Sequence, residues 1–140
     1  MAGELANVDW GSLPEDWHRP RDLDELVEGW LLYQKFGATT VGLYGPGWWT
    51  YEASHELIAR YPDLAWDFVM AVLKTNPDEL TQATLAAGPI EDLLVAHGPY
   101  LIGRIEQKVR LEPELREVFR NVWKSKMRPD VWARLQELLR

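Results

Sequence analysis

The chain has 140 residues, 46% of them hydrophobic, and its 22 acidic and 15 basic side chains give a net charge of −7. This length and composition fit one folded domain rather than a disordered chain. The absence of cysteine excludes disulfide bonds, thiolate metal sites and thiol nucleophiles. No apolar run approaches the ~20 residues of a membrane span, and no signal-peptide pattern is present, so we expect a cytoplasmic protein without a membrane partner.

The charge is unevenly distributed along the chain. Residues 1–100 carry 16 acidic and 5 basic side chains (net −11), whereas residues 101–140 carry 6 acidic and 10 basic side chains (net +4). An acidic body disfavours nucleic-acid binding, which depends on basic groups that neutralise phosphates. It would steer a basic protein partner, although charge that only maintains solubility is the simpler interpretation.

The N-terminal half is predicted to be helical around one irregular segment. Leu23, Leu26, Val27 and Trp30 recur at helical spacing, which is typical of an amphipathic helix. The predicted elements are a flexible arm over residues 1–11, a short helix to Trp17, the amphipathic helix from Leu23 to Gly37, a glycine-rich aromatic loop over 37–49, a helix over 50–61, and a central buried helix over 62–74.

Prolines mark the predicted helix starts in the rest of the chain, because a proline in the first turn costs no hydrogen bond. Six of the nine prolines fit this pattern: Pro62, Pro77, Pro89, Pro99, Pro113 and Pro129. The pattern predicts an all-α protein, a compact bundle of about seven or eight short helices in a single domain over residues 1–140. A weak similarity between residues 62–68 and 113–119 leaves a short HEAT-like stack of helical pairs as the alternative.

An acidic pair and a histidine form a candidate polar site. Glu91 and Asp92 follow Gly88-Pro89, so we expect them in a first helical turn, where free N–H groups favour negative charge. The alternative is that they pair with an arginine of a partner or of the C-terminal helices. His97 falls on the apolar face, where a buried histidine bonded to a carbonyl is the simplest interpretation. No metal-ligand spacing or catalytic motif is present, and we predict neither a metal nor a cofactor.

The eight tryptophans are expected to lie mostly in the core, and an exposed one would be informative because tryptophan is enriched at binding hot spots. Trp48 and Trp49 are adjacent and cannot easily enter one core together. With Tyr44 and Tyr51 they form a candidate partner-binding patch, unless one buried ring simply anchors the loop. Acidic residues at the start of the amphipathic helix extend this candidate surface: Asp22, Asp24, Glu25 and Glu28.

A basic ridge recurs every four residues near the C-terminus. Arg116, Arg120 and Lys124 lie beside the predicted buried face of Phe119 and Trp123. A solvated face that complements the acidic half is the simpler interpretation. The alternative is a strip that contacts phosphates or acids.

Two stretches carry a family resemblance: Ala-Gly-Pro-Ile-Glu-Asp-Leu-Leu at 87–94, and a pattern of leucine, phenylalanine, valine and tryptophan between 114 and 135. On these, residues 62–139 resemble a group of short, uncharacterised bacterial domains. The resemblance implies a small cytoplasmic helical domain and brings no activity with it.

These observations predict a non-enzymatic protein-binding module. Its most concrete form is a bacterial immunity protein that neutralises a cognate toxin, with a basic toxin domain as the partner. The alternative is a small-molecule-binding or hydrolytic helical domain that uses Glu91, Asp92 and His97. Homodimerisation through the tryptophan-rich loop is a third hypothesis.

Overall fold

A computed structural model of the chain describes residues 4–11, 13–36 and 46–140. Within these ranges the secondary structure is helical, and an isolated bridge between Glu4 and Asp22 is the only β-pairing. The chain divides into two compact units, Met1–Pro77 and Asp78–Arg140, which we call the N-terminal unit and the C-terminal unit. The all-α prediction is confirmed, and a single domain over residues 1–140 stays a prediction.

Seven α-helical elements follow one another along the described residues. They are α1 (Leu23–Phe36), α2 (Trp49–Arg60), α3 (Pro62–Lys74), α4 (Glu79–Leu85), α5 (Glu91–Leu111), α6 (Arg116–Phe119) and α7 (Pro129–Leu138). A π-helical segment, Ala86–Ile90, joins α4 to α5, and a 3₁₀ segment, Pro113–Leu115, leads into α6. Counted as continuous stretches, the described part of the chain holds six helices, fewer than the seven or eight that we predicted.

In the N-terminal unit, α1, α2 and α3 pack against one another in pairs. The apolar stripe of α1 is buried as its spacing predicted, and Trp30 contacts the ring of Phe68 edge-to-face at 6.1 Å. Helix α3 spans the predicted residues, but Leu64 and Met70 are only half-buried. It is therefore an amphipathic helix rather than one that is buried on all sides.

The described part of the N-terminal arm is packed, which corrects the prediction of a flexible arm over residues 1–11. Leu5, Val8 and Trp10 are buried. The backbone N–H of Asp9 donates to the hydroxyl of Tyr61 at 2.9 Å. These contacts hold the arm on the helices. The buried apolar area of its side chains contributes more to the free energy of folding than the one hydrogen bond does.

The segment before α1 forms turns instead of the short helix that we predicted up to Trp17. The N–H of Trp17 donates to the carbonyl of Pro14 at 3.0 Å. The guanidinium of Arg19 donates to the carbonyls of Leu13, Pro14 and Trp17. Carbonyls that a helix would have paired internally are thus satisfied by one arginine side chain.

Two glycines let α1 and the start of α2 approach closely. A Cβ at Gly29 would lie 2.6 Å from Thr50 Cγ2 and 2.8 Å from Trp49 Cζ2. Gly47 has a φ of 78°, and a Cβ at that position would overlap the carbonyl oxygen of Gly29. Because positive φ is strained for residues that carry a Cβ, glycine is required at this junction.

The C-terminal unit begins with one continuous helical stretch where we predicted three separate helices. Asp78 caps α4 by accepting the N–H of Thr81 at 2.8 Å. The π-helical segment then carries the chain into α5 without a break, since the N–H of Glu91 donates to the carbonyl of Ala86.

Two of the six prolines lie inside this stretch and distort it. Proline has no N–H to donate, and its ring clashes with the carbonyl four residues earlier. The helix widens into the π-helical segment around Pro89, and it kinks two residues before Pro99, where His97 has φ −136° and ψ 26°. Pro62, Pro113 and Pro129 begin helical segments as predicted, and Pro77 precedes the cap of α4.

Helix α7 packs on α5 through a glycine and an ion pair. A Cβ at Gly98 would lie 2.9 Å from Val131 Cγ1, so glycine permits this approach. Further along, Arg134 donates to both carboxylate oxygens of Glu106, with Nε 3.1 Å from Oε2. This hydrogen bond lowers the pKa of Glu106 below its ordinary value, although partial burial opposes it.

Two members of the basic ridge cap the C-terminal end of α7. Arg116 Nε donates to the carbonyl of Leu138 at 3.1 Å, and Arg120 Nη2 donates to the carbonyl of Leu139 at 3.1 Å. The last carbonyls of a helix have no partner within the helix, so these bonds satisfy them. The ridge is therefore more than the solvated face that we expected, and only its third member, Lys124, extends into solvent without such a bond.

No helix in the part of the chain that the structure describes combines the length and hydropathy needed to cross a bilayer.

Candidate functional site

The tryptophans differ widely in exposure. Trp10 and Trp30 are buried, Trp123 is 74% exposed, and the other five are half-buried. We predicted a buried helical face that includes Phe119 and Trp123. Phe119 is buried, but Trp123 is not, and the prediction is wrong for the larger of the two side chains.

Helix α6 ends at Phe119, four residues before Trp123. The side-chain amide of Asn121 donates to the carbonyl of Glu117 at 3.1 Å. The backbone N–H of Asn121 donates to the carbonyl of Val118 at 3.1 Å. These bonds satisfy carbonyls that a helix end leaves unpaired. The helix therefore stops before the predicted apolar stripe reaches Trp123.

The backbone at Trp123 is held by a side chain from α5. The N–H of Trp123 donates to Glu91 Oε1 at 3.2 Å. In a continued helix the same N–H would donate to the carbonyl of Phe119. The carboxylate of Glu91 thus supplies, in an exposed hydrogen bond, the acceptor that a helical carbonyl would have supplied, and the chain at Trp123 runs in a different direction.

Residues 122–127, which we call the Trp123 turn, are anchored at both ends. Val122 and Met127 are buried, and the N–H of Met127 donates to the carbonyl of Lys124 at 2.9 Å. Ser125 has a φ of 48°, a left-handed conformation that reverses the chain. The indole of Trp123 is thus presented to solvent by a backbone that is fixed on both sides.

The sequence around the exposed indole is basic, while the carboxylate of Glu91 from α5 lies against its backbone. Between Glu117 and Asp130 the sequence holds four basic side chains and no acidic one. Arg120 pairs with Glu117, and Arg128 pairs with Asp130 at 3.1 Å. The positive charge that these two pairs leave over is carried by the exposed lysines of the turn, Lys124 and Lys126, and Glu91 brings one carboxylate to the backbone of the turn.

The aromatic patch that we predicted from the sequence is mostly used in packing. Trp48 contacts Trp17 edge-to-face with centroids 4.9 Å apart, and Trp49 contacts the ring of His18 at 4.5 Å. Both indoles are half-buried. Tyr51 is 53% exposed and lies tilted against His55 at 4.3 Å. Tyr44 lies outside the described residues.

The acidic residues of α1 divide into two groups. Asp22 accepts the backbone N–H of Glu25 at 2.9 Å and so caps the helix. Partial burial raises the pKa of Glu25, but hydrogen bonds from Arg21 and His18 outweigh it and leave that pKa below its ordinary value. Asp24 and Glu28 are exposed, so half of the predicted acidic surface is accessible to a partner.

The structure reassigns the role of the acidic pair. Because the chain enters α5 as a continuous helix, Glu91 and Asp92 do not lie at a free helix N-terminus, and the predicted dipole role is wrong. Glu91 instead binds the backbone of Trp123, and His97 is half-buried at the kink. Among the described residues, no three carboxylate or imidazole groups converge as metal ligands.

The sequence contained one signal for the Trp123 turn. Asn121 and Ser125 are weak helix formers on either side of Trp123, and each favours a turn or a helix end. The acceptor that fixes the turn, Glu91, lies 32 residues earlier, and no local pattern could have revealed it.

Residues 41–140, which are 100 of the 140 residues, match the model of a family of unknown function, DUF6869. The chain belongs to this family, which confirms the predicted membership of an uncharacterised family. The match begins 21 residues before residue 62, where we expected the resemblance to start, and it includes the Trp123 turn. No curated protein and no solved structure matches the chain.

Proposed function

We propose that this protein is a non-enzymatic protein-binding module whose contact centre is Trp123. The observation that carries the proposal is the combination of an exposed indole and a fixed backbone beneath it. A soluble domain gains nothing in stability from an indole in water, whereas tryptophan is enriched among the residues that dominate binding energy.

Both the exposed area of the indole and the order of its backbone favour binding at Trp123. Burial of the exposed part of an indole in a partner's pocket is worth on the order of 3 kcal/mol at about 25 cal/mol per Å². The hydrogen bond to Glu91 and the buried anchors Val122 and Met127 order the turn before a partner arrives. Less conformational entropy is then lost on binding, which favours affinity.

The most concrete form of the proposal is an immunity protein that neutralises a cognate toxin, because such a protein acts by binding alone. The sequence had suggested a hydrolytic alternative that uses Glu91, Asp92 and His97. The carboxylate of Glu91 is already engaged with the backbone of Trp123, which favours a structural role for it over a chemical one.

Co-expression with the products of the adjacent genes, followed by size-exclusion chromatography, tests the proposal. We expect one neighbour to co-elute with the protein and the complex to be lost with Trp123→Ala. Leu111→Ala is the matched control, since Leu111 is also an apolar residue that is 73% exposed, and its complex should persist. For the immunity form, co-expression should also restore growth to cells that produce the neighbour.

Each result bears on a different part of the proposal. Failure of every neighbour to co-elute would contradict the function as proposed. A complex that survives Trp123→Ala but is lost with Asp24→Ala and Glu28→Ala would move the contact surface to α1. A measurable chemical turnover by the purified chain would contradict the non-enzymatic assignment.

A further inference from the structure

We infer that the Trp123 turn binds a protein surface with an apolar pocket and an acidic rim. This inference rests on the proposed function and adds the chemistry of the partner. It reverses the expectation from the sequence, in which the acidic half of the chain suggested a basic partner.

The charge of the turn carries the inference. Four basic side chains and no acidic one lie between Glu117 and Asp130, and the two arginines among them are paired with those flanking carboxylates. Lys124 and Lys126 are exposed and, among the described residues, form no ion pair, so the two lysines outnumber the one carboxylate, that of Glu91, that contacts the backbone of the turn. Both lie within three residues of Trp123, so an indole that enters a pocket brings two ammonium groups to its rim.

The rim must then be acidic for two reasons. Opposite charges at an interface accelerate the encounter and fix its orientation, whereas like charges disfavour a wrong partner by several kcal/mol. A lysine that is drawn towards an apolar surface also loses hydration, which a carboxylate within hydrogen-bond distance can offset.

A protein partner fits the turn better than a nucleic acid does. A nucleic-acid site tracks a backbone with several phosphate contacts, and affinity rises with the number of phosphates neutralised. The turn offers two uncompensated lysines beside a single exposed indole, which suits a single pocket.

Selection from a random peptide display library on the full chain tests the inference. We expect the enriched peptides to combine apolar residues with aspartate and glutamate, and to lose binding with Trp123→Ala. The double variant Lys124→Glu, Lys126→Glu should weaken them by about tenfold or more, as expected for close charge pairs. Lys35→Glu, Lys74→Glu is the matched control, since it changes the net charge equally on exposed residues of the N-terminal unit.

The outcomes separate this inference from the proposed function. Enriched peptides that need Trp123 but are basic or uncharged would overturn the acidic rim and leave the binding module intact. Tighter binding of a single-stranded oligonucleotide than of the best peptide, through Trp123, would also overturn the inference. Enriched peptides whose binding does not depend on Trp123, or no enrichment at all, would count against both the inference and the proposed function.

Discussion

Two of the tryptophan-bearing segments of this protein differ in how their indoles are packed: Trp48-Trp49, before and within α2, and Trp123, in the turn after α6. In the first segment each indole contacts an aromatic ring of the turns before α1, Trp17 or His18. In the second, the described contact at Trp123 is made by its backbone N–H, and the indole remains 74% exposed.

The difference shows how an aromatic residue becomes available for binding. Two adjacent indoles found partners within the same unit, because turns that contain Trp17 and His18 lie beside the start of α2. At Trp123 the neighbouring apolar positions, Val122 and Met127, fill the core instead. Exposure at this site follows from the direction of the backbone, which the bond to Glu91 fixes.

The largest effect is expected at the glycine that permits the first segment to pack. Gly47→Ala should lower the free energy of unfolding by at least about 3 kcal/mol, because it combines a strained positive φ with overlap of the Gly29 carbonyl. Urea denaturation measures the loss. The control is Gly103→Ala, where nothing lies within 4 Å of the added methyl and a small gain is expected in a helix. Equal stability of the two variants would show that α1 and α2 do not approach as described.

A smaller loss of folding stability is expected where α5 meets α7, in the unit that carries the Trp123 turn. Gly98→Ala should cost about 1–3 kcal/mol, because the new methyl would press on the side chain of Val131, which can move aside in part. The loss caused by Gly98→Ala should be smaller when Val131 is also alanine, as a double-mutant cycle from urea denaturation would show. An absence of coupling between the two positions would contradict the contact.

The comparison itself is tested by one pair of alanine variants. Trp48→Ala should destabilise the protein by about 1–2 kcal/mol through lost area and the lost contact with Trp17. Trp123→Ala should change stability by less than about 0.5 kcal/mol, as expected for an exposed side chain. Acrylamide should quench the tryptophan fluorescence of the wild type more than that of Trp123→Ala. It should quench the fluorescence of the wild type and of Trp48→Ala equally. The opposite order in stability would mean that Trp123 is packed and Trp48 is free.

The smallest effect concerns the ion pair between Glu106 and Arg134. Because the folded-state pKa of Glu106 is lowered, the pair stabilises the fold above the unfolded-state pKa of about 4.3 and loses this contribution as the pH falls through the folded-state value. Arg134→Gln should lower the free energy of unfolding slightly at pH 7, since the arginine is half exposed, and by less near pH 3. Urea titrations at both pH values measure this, and a loss that is equal at pH 7 and pH 3 would contradict the ionic origin.

Much of the N-terminal unit could be predicted from local patterns. The spacing of Leu23, Leu26 and Trp30 identified α1, and Pro62 identified the start of α3, because helical periodicity and the geometry of proline act within a few residues. The candidate site was harder. Trp48 and Trp49 were predicted to be a binding patch, yet their ring partners lie some 30 residues away in the chain.

The sequence by itself determined the helical class, the positions of most helix starts and the membership of an uncharacterised family, since these depend on neighbouring residues. Only the tertiary structure decided that the chain passes through Pro89 and Pro99 without stopping, and that Trp123 faces solvent. The physical reason is that a proline can be accommodated inside a helix by a widened turn or a kink as well as at a helix start, and the residues around it do not decide between these. The direction of the chain at Trp123 depends on a distant partner as well, since Glu91, 32 residues earlier, accepts its N–H.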